Sequence, residues 1–186
     1  AYGERRGILV EHYIISSGLR EIIEGTAIAK DFTHIYASSF YYNEHGEPCW
    51  PAQVINYTNK TQFLFRIEKG ILDINDNAVN DHFAEGELRV PFRNIVYIGD
   101  SATDIPCMRL VNSLGGHSVG VYDSENTASK DTVRRMIRDE RIRYYVPADY
   151  TKGSEMDTLM HQIIDKTAAY EVLEEKHLRD RKEAVS

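Results

Sequence analysis

Short apolar runs alternate with helical patterns along most of this chain, and this alternation constrains the fold more than any other feature. Helical spacing follows several of the runs, as in the helix predicted at residues 60–69. Strands that alternate with helices predict an α/β fold with a mainly parallel, doubly wound (Rossmann-like) sheet. The runs that have the length of one buried strand are residues 11–16, 34–41, 94–98, 118–122 and 144–147.

The remaining segments divide into a hairpin arm, further helices and surface structure. Residues 54–57 are predicted to return from strand 34–41 as the second arm of a hairpin. Polar residues 70–91 are expected on the surface, and residues 174–186 are expected to form a charged, fraying tail outside a core at residues 1–173. Helical spacing of apolar residues predicts the further helices, at residues 19–23, 130–141 and 156–164.

Composition and charge exclude several classes of function. A formal net charge of −7 over 186 residues argues against nucleic-acid binding, which requires a clustered basic face. No apolar run approaches the roughly 20 residues of a membrane-spanning helix. Cys49 and Cys107 lack the spacing of a metal site, so a reduced, cytoplasmic protein is expected. The chain starts at Ala1 without a methionine, which favours an internal piece of a longer polypeptide.

Polar groups suited to phosphate and magnesium lie near the predicted carboxyl ends of the strands, where open α/β sheets bind ligands. Residues 16–18 (Ser-Ser-Gly) follow an apolar run and precede a helical pattern, an arrangement that can cradle an anion. Lys60 lies at the start of a predicted helix. Asp100 and Asp104 follow the strongest strand, spaced so that both carboxylates can approach one magnesium ion.

Each feature also has a structural interpretation. Ser-Ser-Gly after a strand is more often an ordinary helix cap, and a lysine at a helix start is more often solvated. Asp104 could simply cap a helix. An aspartate at position 100, directly after a buried strand, has no comparable structural role. The aromatic residues near the hairpin are expected to pack rather than to stack on a substrate: Tyr41, Tyr42, Trp50 and Tyr57.

Serine after a strand, a downstream lysine and then hhhGDxxxD resembles the second, third and fourth motifs of the haloacid dehalogenase superfamily. The Gly99–Asp104 segment is the most specific part, and the resemblance covers most of residues 8–150. It implies a magnesium-dependent phosphohydrolase acting on a small phosphorylated substrate. Ser16, Ser17 and Gly18 would bind the phosphoryl group together with Lys60, which would neutralise it. Ser16, Lys60 and Asp104 would serve catalysis, while Asp100 and Asp104 would hold Mg²⁺, the latter directly or through water.

The first motif of that superfamily, DxDxT, which supplies an aspartate nucleophile, is missing. It should precede Ser16, yet residues 1–15 contain no aspartate, and residues 73–76 lack the required pattern and order. The leading hypothesis is therefore a fragment of a phosphatase-type hydrolase, inactive alone and without a cap domain. A non-catalytic phosphate- or ligand-binding domain of the same fold is the alternative. A receiver-like nucleotide-binding domain ranks lower, because no glycine-rich phosphate loop is present.

The same resemblance places the missing nucleophile strand between the strand ending at Ser16 and the strand ending at Asp100. The expected partner is the chain's own N-terminal segment, as a separate polypeptide. A second copy filling the gap and direct pairing of the two strands are the other solutions, because unpaired strand edges are costly to bury.

Overall fold

A computed structural model of the chain describes residues 1–185, except the side chain of Glu85, and shows a mixed α/β protein with parallel strands. The chain forms two compact units, residues 11–145 and residues 1–10 with 146–186. The strands are β1 (Tyr13–Leu19), β2 (His34–Tyr42), β3 (Pro48–Gln53), β4 (Val96–Gly99), β5 (His117–Tyr122) and β6 (Tyr144–Pro147). The helices are α1 (Tyr2–Arg5), α2 (Arg20–Glu24), α3 (Thr61–Lys69), α4 (Ile105–Ser113), α5 (Thr127–Arg138) and α6 (Glu155–Val185).

The strands form two separate three-stranded sheets rather than one continuous sheet. The first sheet has the order β1-β2-β3 and the second has the order β4-β5-β6. β1 pairs with β2 in parallel, as β4 does with β5, whereas β2 and β3 are antiparallel. Among the described residues β1 and β4 each have a single neighbouring strand, so direct pairing of these two strands is not observed.

Side-chain burial differs between the paired and unpaired strands. All six residues of β5, which has a neighbour on each side, are buried. The apolar residues at the start of β1 are only partly buried, and Ile98 of β4 is 38 % exposed. Near-continuous apolar strands are typical of parallel sheets covered on both faces. β1 and β4 therefore have the composition of interior strands but the burial of edge strands.

Helix α3 packs on the apolar residues of both sheets. Its Phe63 and Ile67 join a cluster with Tyr36 of β2, while its Leu64 joins a larger cluster that includes Tyr97 of β4. Ile15 of β1 contacts both clusters. The helix begins near the predicted residue and ends at Gly70, whose φ of 74° suits glycine at a helix C-terminus. One helix thus connects the two sheets through their cores.

The prediction for the hairpin was wrong in its second arm. The return strand is β3, at Pro48–Gln53, and residues 54–57 lie after it. Prolines at 48 and 51 obscure the strand pattern, but β3 is an edge strand, where proline is tolerated. Tyr41 and Trp50 face each other across the hairpin with ring centroids 6.1 Å apart, and they are 55 % and 65 % exposed, so they pack against each other on the surface.

The second unit contains α1 and the long helix α6. The Tyr2 ring stacks on His161 with centroids 3.7 Å apart, and its hydroxyl donates to both oxygens of Asp165. Arg6 pairs with the same carboxylate at 2.8 Å. Within residues 1–185 α6 continues through the segment predicted to fray, and Ser186 lies outside the described residues. No helix in the described part of the chain is long and apolar enough to span a membrane.

Candidate functional site

A buried ion pair joins two of the residues that the sequence singled out. Lys60 Nζ lies 2.8 Å from Asp104 Oδ1, and each residue is only 6 % exposed. Lys60 occupies the N-cap position of α3, where the helix dipole disfavours a cation. A charge removed from water in this way requires a partner, and Asp104 provides it.

The Asp104 carboxylate accepts hydrogen bonds from three side chains. The Tyr97 hydroxyl donates to Oδ1 at 2.9 Å, the oxygen that also accepts from Lys60, and Ser101 Oγ donates to Oδ2 at 3.0 Å. Asp104 stands at the N-cap position of α4, yet its side chain makes no capping bond there. The carboxylate is therefore committed to Lys60, Tyr97 and Ser101 rather than to the helix end.

Gly99, at the end of β4, allows Asp104 to reach this position. A Cβ atom at residue 99 would lie 2.7 Å from Asp104 Cβ and 2.8 Å from its Oδ2. Glycine is therefore required at this position by the close approach of the Asp104 side chain to the strand backbone.

Asp104 and Lys60 differ in how many of their hydrogen-bonding positions are occupied. Asp104 Oδ1 has two donors and Oδ2 has one, so the carboxylate has most of its acceptor capacity filled. A lysine ammonium has three N–H donors, and within the described residues Asp104 is the one acceptor for those of Lys60. The site thus contains a buried cation with N–H donors to which the described residues offer no further acceptor.

Burial also fixes the protonation of the neutral groups beside the pair. Burial, and secondarily the neighbouring Cys107 and Asp104, raise the pKa of Tyr97, so its hydroxyl stays protonated and can only donate to the carboxylate. Burial raises the pKa of the Cys107 thiol to about 11. Cys107 is therefore a neutral part of the site rather than a reactive thiolate.

Asp100 is the one predicted metal ligand whose carboxylate is free of protein partners. Its side chain is exposed at the end of β4, and within residues 1–185 it makes no hydrogen bond or ion pair. Asp104 has spare acceptor capacity only at Oδ2. No group of three or more His, Cys, Asp or Glu side chains in the described residues could hold a metal. Mg²⁺ commonly uses one or two carboxylates with water and substrate oxygens, so magnesium binding by Asp100 and Asp104 remains a proposal.

The predicted phosphate cradle has a different local structure from the one expected. β1 continues through Ser16 to Leu19, and α2, which starts at Arg20, has only five residues. The register with β2 is irregular here, since β1 advances from Ile15 to Leu19 while β2 advances from Tyr36 to Ser38. Bulges of this kind often lie beside functional sites.

Hydrogen bonds hold the bulge in shape. Ser16 Oγ accepts from the backbone N–H of Gly18 at 3.0 Å, and Ser38 Oγ donates to the Ser17 carbonyl at 3.2 Å. Within the described residues no hydrogen bond connects residues 16–18 to Lys60 or Asp104. The structure therefore brings Lys60 together with Asp104 and leaves the serines as a separate group.

Sequence analysis missed Tyr97, Ser101 and Cys107 as members of the site. Side chains alternate along a strand, so Tyr97 and Gly99 lie on one face of β4, the face that Asp104 approaches. The available signal for Tyr97 was its place two residues before a glycine in an otherwise aliphatic strand. This signal could be interpreted only with the position of Asp104, which the sequence does not provide.

Comparison with known proteins adds one relative. No family model matches the sequence. A Borreliella burgdorferi protein, named only as an uncharacterized protein, is 25 % identical over 164 residues, covering 79 % of this chain and 55 % of that protein. The chain therefore spans about half the length of the curated relative that it matches, and this similarity assigns no family.

Proposed function

We propose that this chain is part of a magnesium-dependent phosphohydrolase of the haloacid dehalogenase superfamily, with the doubly wound core of that superfamily. The observation that carries the proposal is the buried Lys60 ammonium, which has unused donors beside a nearly saturated carboxylate. A phosphoryl group supplies several anionic acceptor oxygens, which match those donors. The proposed substrate is a small phosphorylated molecule.

Each residue has a specific role in this proposal. Lys60 binds a phosphoryl oxygen, and Asp104 holds Lys60 in place at 2.8 Å. Asp100 holds magnesium, which when bound offsets negative charge on the phosphoryl group. Ser16 and the backbone of Ser17 and Gly18 add hydrogen bonds to the same group. For Gly18 this requires its N–H to leave the Ser16 hydroxyl that now accepts from it.

The nucleophile comes from polypeptide outside this chain, because residues 1–15 contain no aspartate. The unpaired edges of β1 and β4, whose apolar side chains are only partly covered, are the proposed place for the strand that carries it. The greater length of the Borreliella burgdorferi relative is consistent with further chain in the complete protein. Residues 1–186 alone are therefore expected to be inactive.

Phosphate binding by the purified chain tests the proposed role of Lys60 without requiring turnover. Titration calorimetry with inorganic phosphate and MgCl₂ should show saturable binding that Lys60→Met abolishes. Lys69→Met is the matched control, since Lys69 lies on the same helix but binds the carbonyls of Val79 and Asp81. Equal binding by Lys60→Met and the unmodified chain would remove the basis of the proposal.

A non-catalytic phosphate-binding domain is the second candidate, since the buried Lys60–Asp104 pair could bind an anion without any nucleophile. Both candidates bind phosphate through Lys60, so turnover separates them. The product of the complete natural gene should hydrolyse an aryl phosphate with Mg²⁺ and lose that activity in Asp100→Asn. Phosphate binding by that product without any turnover would favour the binding domain.

A further inference from the structure

We propose that Tyr97 is a positioning residue for this site, and the proposal rests on the function proposed above. Its hydroxyl donates to Asp104 Oδ1 and so reduces the negative charge that this oxygen presents to Lys60, which leaves the ammonium with more of its positive charge for an anion. Tyr97 thus acts through Asp104 and does not contact the phosphoryl group itself.

Tyr97 and Lys60 both donate to one oxygen of the Asp104 carboxylate. The two donors lie 2.9 Å and 2.8 Å from Asp104 Oδ1. Tyr97 comes from β4 and Lys60 from the start of α3, so the carboxylate is held between a sheet and a helix. Ser101, in the loop after Gly99, fixes the other oxygen at 3.0 Å. Without the Tyr97 hydroxyl, Lys60 would be the one donor that offsets the negative charge on Oδ1.

The choice of a hydroxyl donor matters for charge. A second cation at this position would also satisfy the carboxylate, but it would add a competing site for the anion. A neutral hydroxyl reduces the negative charge that Lys60 faces and adds none of its own. The Tyr97 hydroxyl, a neutral group, lies 2.9 Å from Asp104 Oδ1 and donates to it.

Tyr36 shows what a purely structural buried tyrosine looks like in the same unit. Its ring is buried against Phe63 of α3, and its hydroxyl donates to the Leu72 carbonyl at 2.9 Å. Tyr36 therefore satisfies its hydroxyl with a neutral backbone group and has no bond to Lys60 or Asp104. It provides a matched control, since Tyr36→Phe also removes one buried hydroxyl.

The test compares Tyr97→Phe with Tyr36→Phe in the complete chain of 186 residues. The first readout is the ¹⁵N NMR signal of the Lys60 ammonium, assigned by its loss in Lys60→Arg. We expect Tyr97→Phe to move this signal and Tyr36→Phe to leave it in place. The second readout is the Kd for inorganic phosphate, which Tyr97→Phe should raise by up to roughly fivefold, because the lost hydrogen bond to Asp104 sets the upper limit of the effect on Lys60.

Two further measurements keep the outcome decisive. If Tyr97→Phe does not fold, 3-fluorotyrosine at position 97 is the alternative variant, because it keeps the shape of the side chain and makes its hydroxyl a stronger donor. The Lys60 signal should then move in the opposite direction, and phosphate should bind more tightly. An unmoved Lys60 signal in both Tyr97 variants, or an equal movement in Tyr36→Phe, would overturn the proposal. If the unmodified chain does not bind phosphate, the function proposed above fails, while the Lys60 signal still decides whether Tyr97 positions the pair.

Discussion

Lys60 Nζ and Asp104 Oδ1 form a buried ion pair at 2.8 Å, although the two residues are 44 positions apart in the sequence. The pair connects the start of α3 to the start of α4. Isolated buried pairs contribute little net stability, but breaking one by removing a single partner is costly. The pair is therefore expected to behave as a unit.

Removal of one member of this pair should destabilise the protein more than removal of both. Asp104→Ala should lower the free energy of unfolding by about 3–5 kcal/mol, because it leaves the buried Lys60 without its counter-ion. The double variant Lys60→Met/Asp104→Leu should recover much of that loss. Urea unfolding measures both. The exposed pair Lys176–Asp180 is the control, and Lys176→Ala should change stability by less than about 1 kcal/mol. Additive losses at 60 and 104 would contradict the prediction.

Gly99→Ala, at the end of β4, should displace the Asp104 side chain. The new Cβ would lie 2.7 Å from Asp104 Cβ, so the carboxylate must move and the core must strain. We expect a loss of about 1–3 kcal/mol in unfolding free energy and weaker phosphate binding. Gly86→Ala is the control, since a Cβ there meets nothing within 4 Å and its φ is not positive. Full phosphate affinity in Gly99→Ala would show that Asp104 need not lie where it does.

Alkaline pH should destabilise the chain through the buried thiol. Burial raises the pKa of Cys107 to about 11, from an ordinary value of 9.0 in the unfolded chain. The folded state therefore holds the thiol proton more tightly than the unfolded chain does. The contribution of this difference to the free energy of unfolding is complete below pH 9 and is lost as pH rises towards 11. The contribution is on the order of 2–3 kcal/mol. Urea unfolding at several pH values should show a shallower alkaline decline for Cys107→Ala than for Cys49→Ala, which changes an exposed thiol. Identical declines would rule out this assignment.

Hydrogen exchange should identify the unpaired strand edges. In the chain alone, amides on the unpaired edges of β1 and β4 should exchange much faster than those of β5, which is paired on both sides. In the product of the complete natural gene the same amides should become protected if a strand occupies the gap. Amides at Asn59 and Phe63 around the start of α3 bond within the chain and serve as an internal reference. Unchanged exchange at β1 and β4 in the longer protein would exclude that docking.

The sequence predicted the elements with strong periodicity and failed where position depended on distant contacts. β6 has the predicted bounds, and α3 begins and ends within a residue of the prediction, because their apolar patterns are self-contained. β3 was misplaced because Pro48 and Pro51 are acceptable only on an edge, and edges are a property of the assembled sheet. Within the site, the sequence motifs identified Lys60 and Asp104. The direct pairing of these two residues and the hydrogen bond from Tyr97 depend on packing between α3 and β4, which the motifs do not show.

The position of α3 has a thermodynamic consequence. This helix packs on both sheets and has Lys60 at its N-cap. A polypeptide segment that binds to both sheets and orders them would therefore also restrain the position of the Lys60 ammonium. Linkage is reciprocal: if the added segment increases the affinity for phosphate by some factor, phosphate must increase the affinity for the segment by that same factor. If the proposed function is right, phosphate would then act as an assembly cofactor, and the proposed nucleophile segment would be held most firmly when substrate is bound.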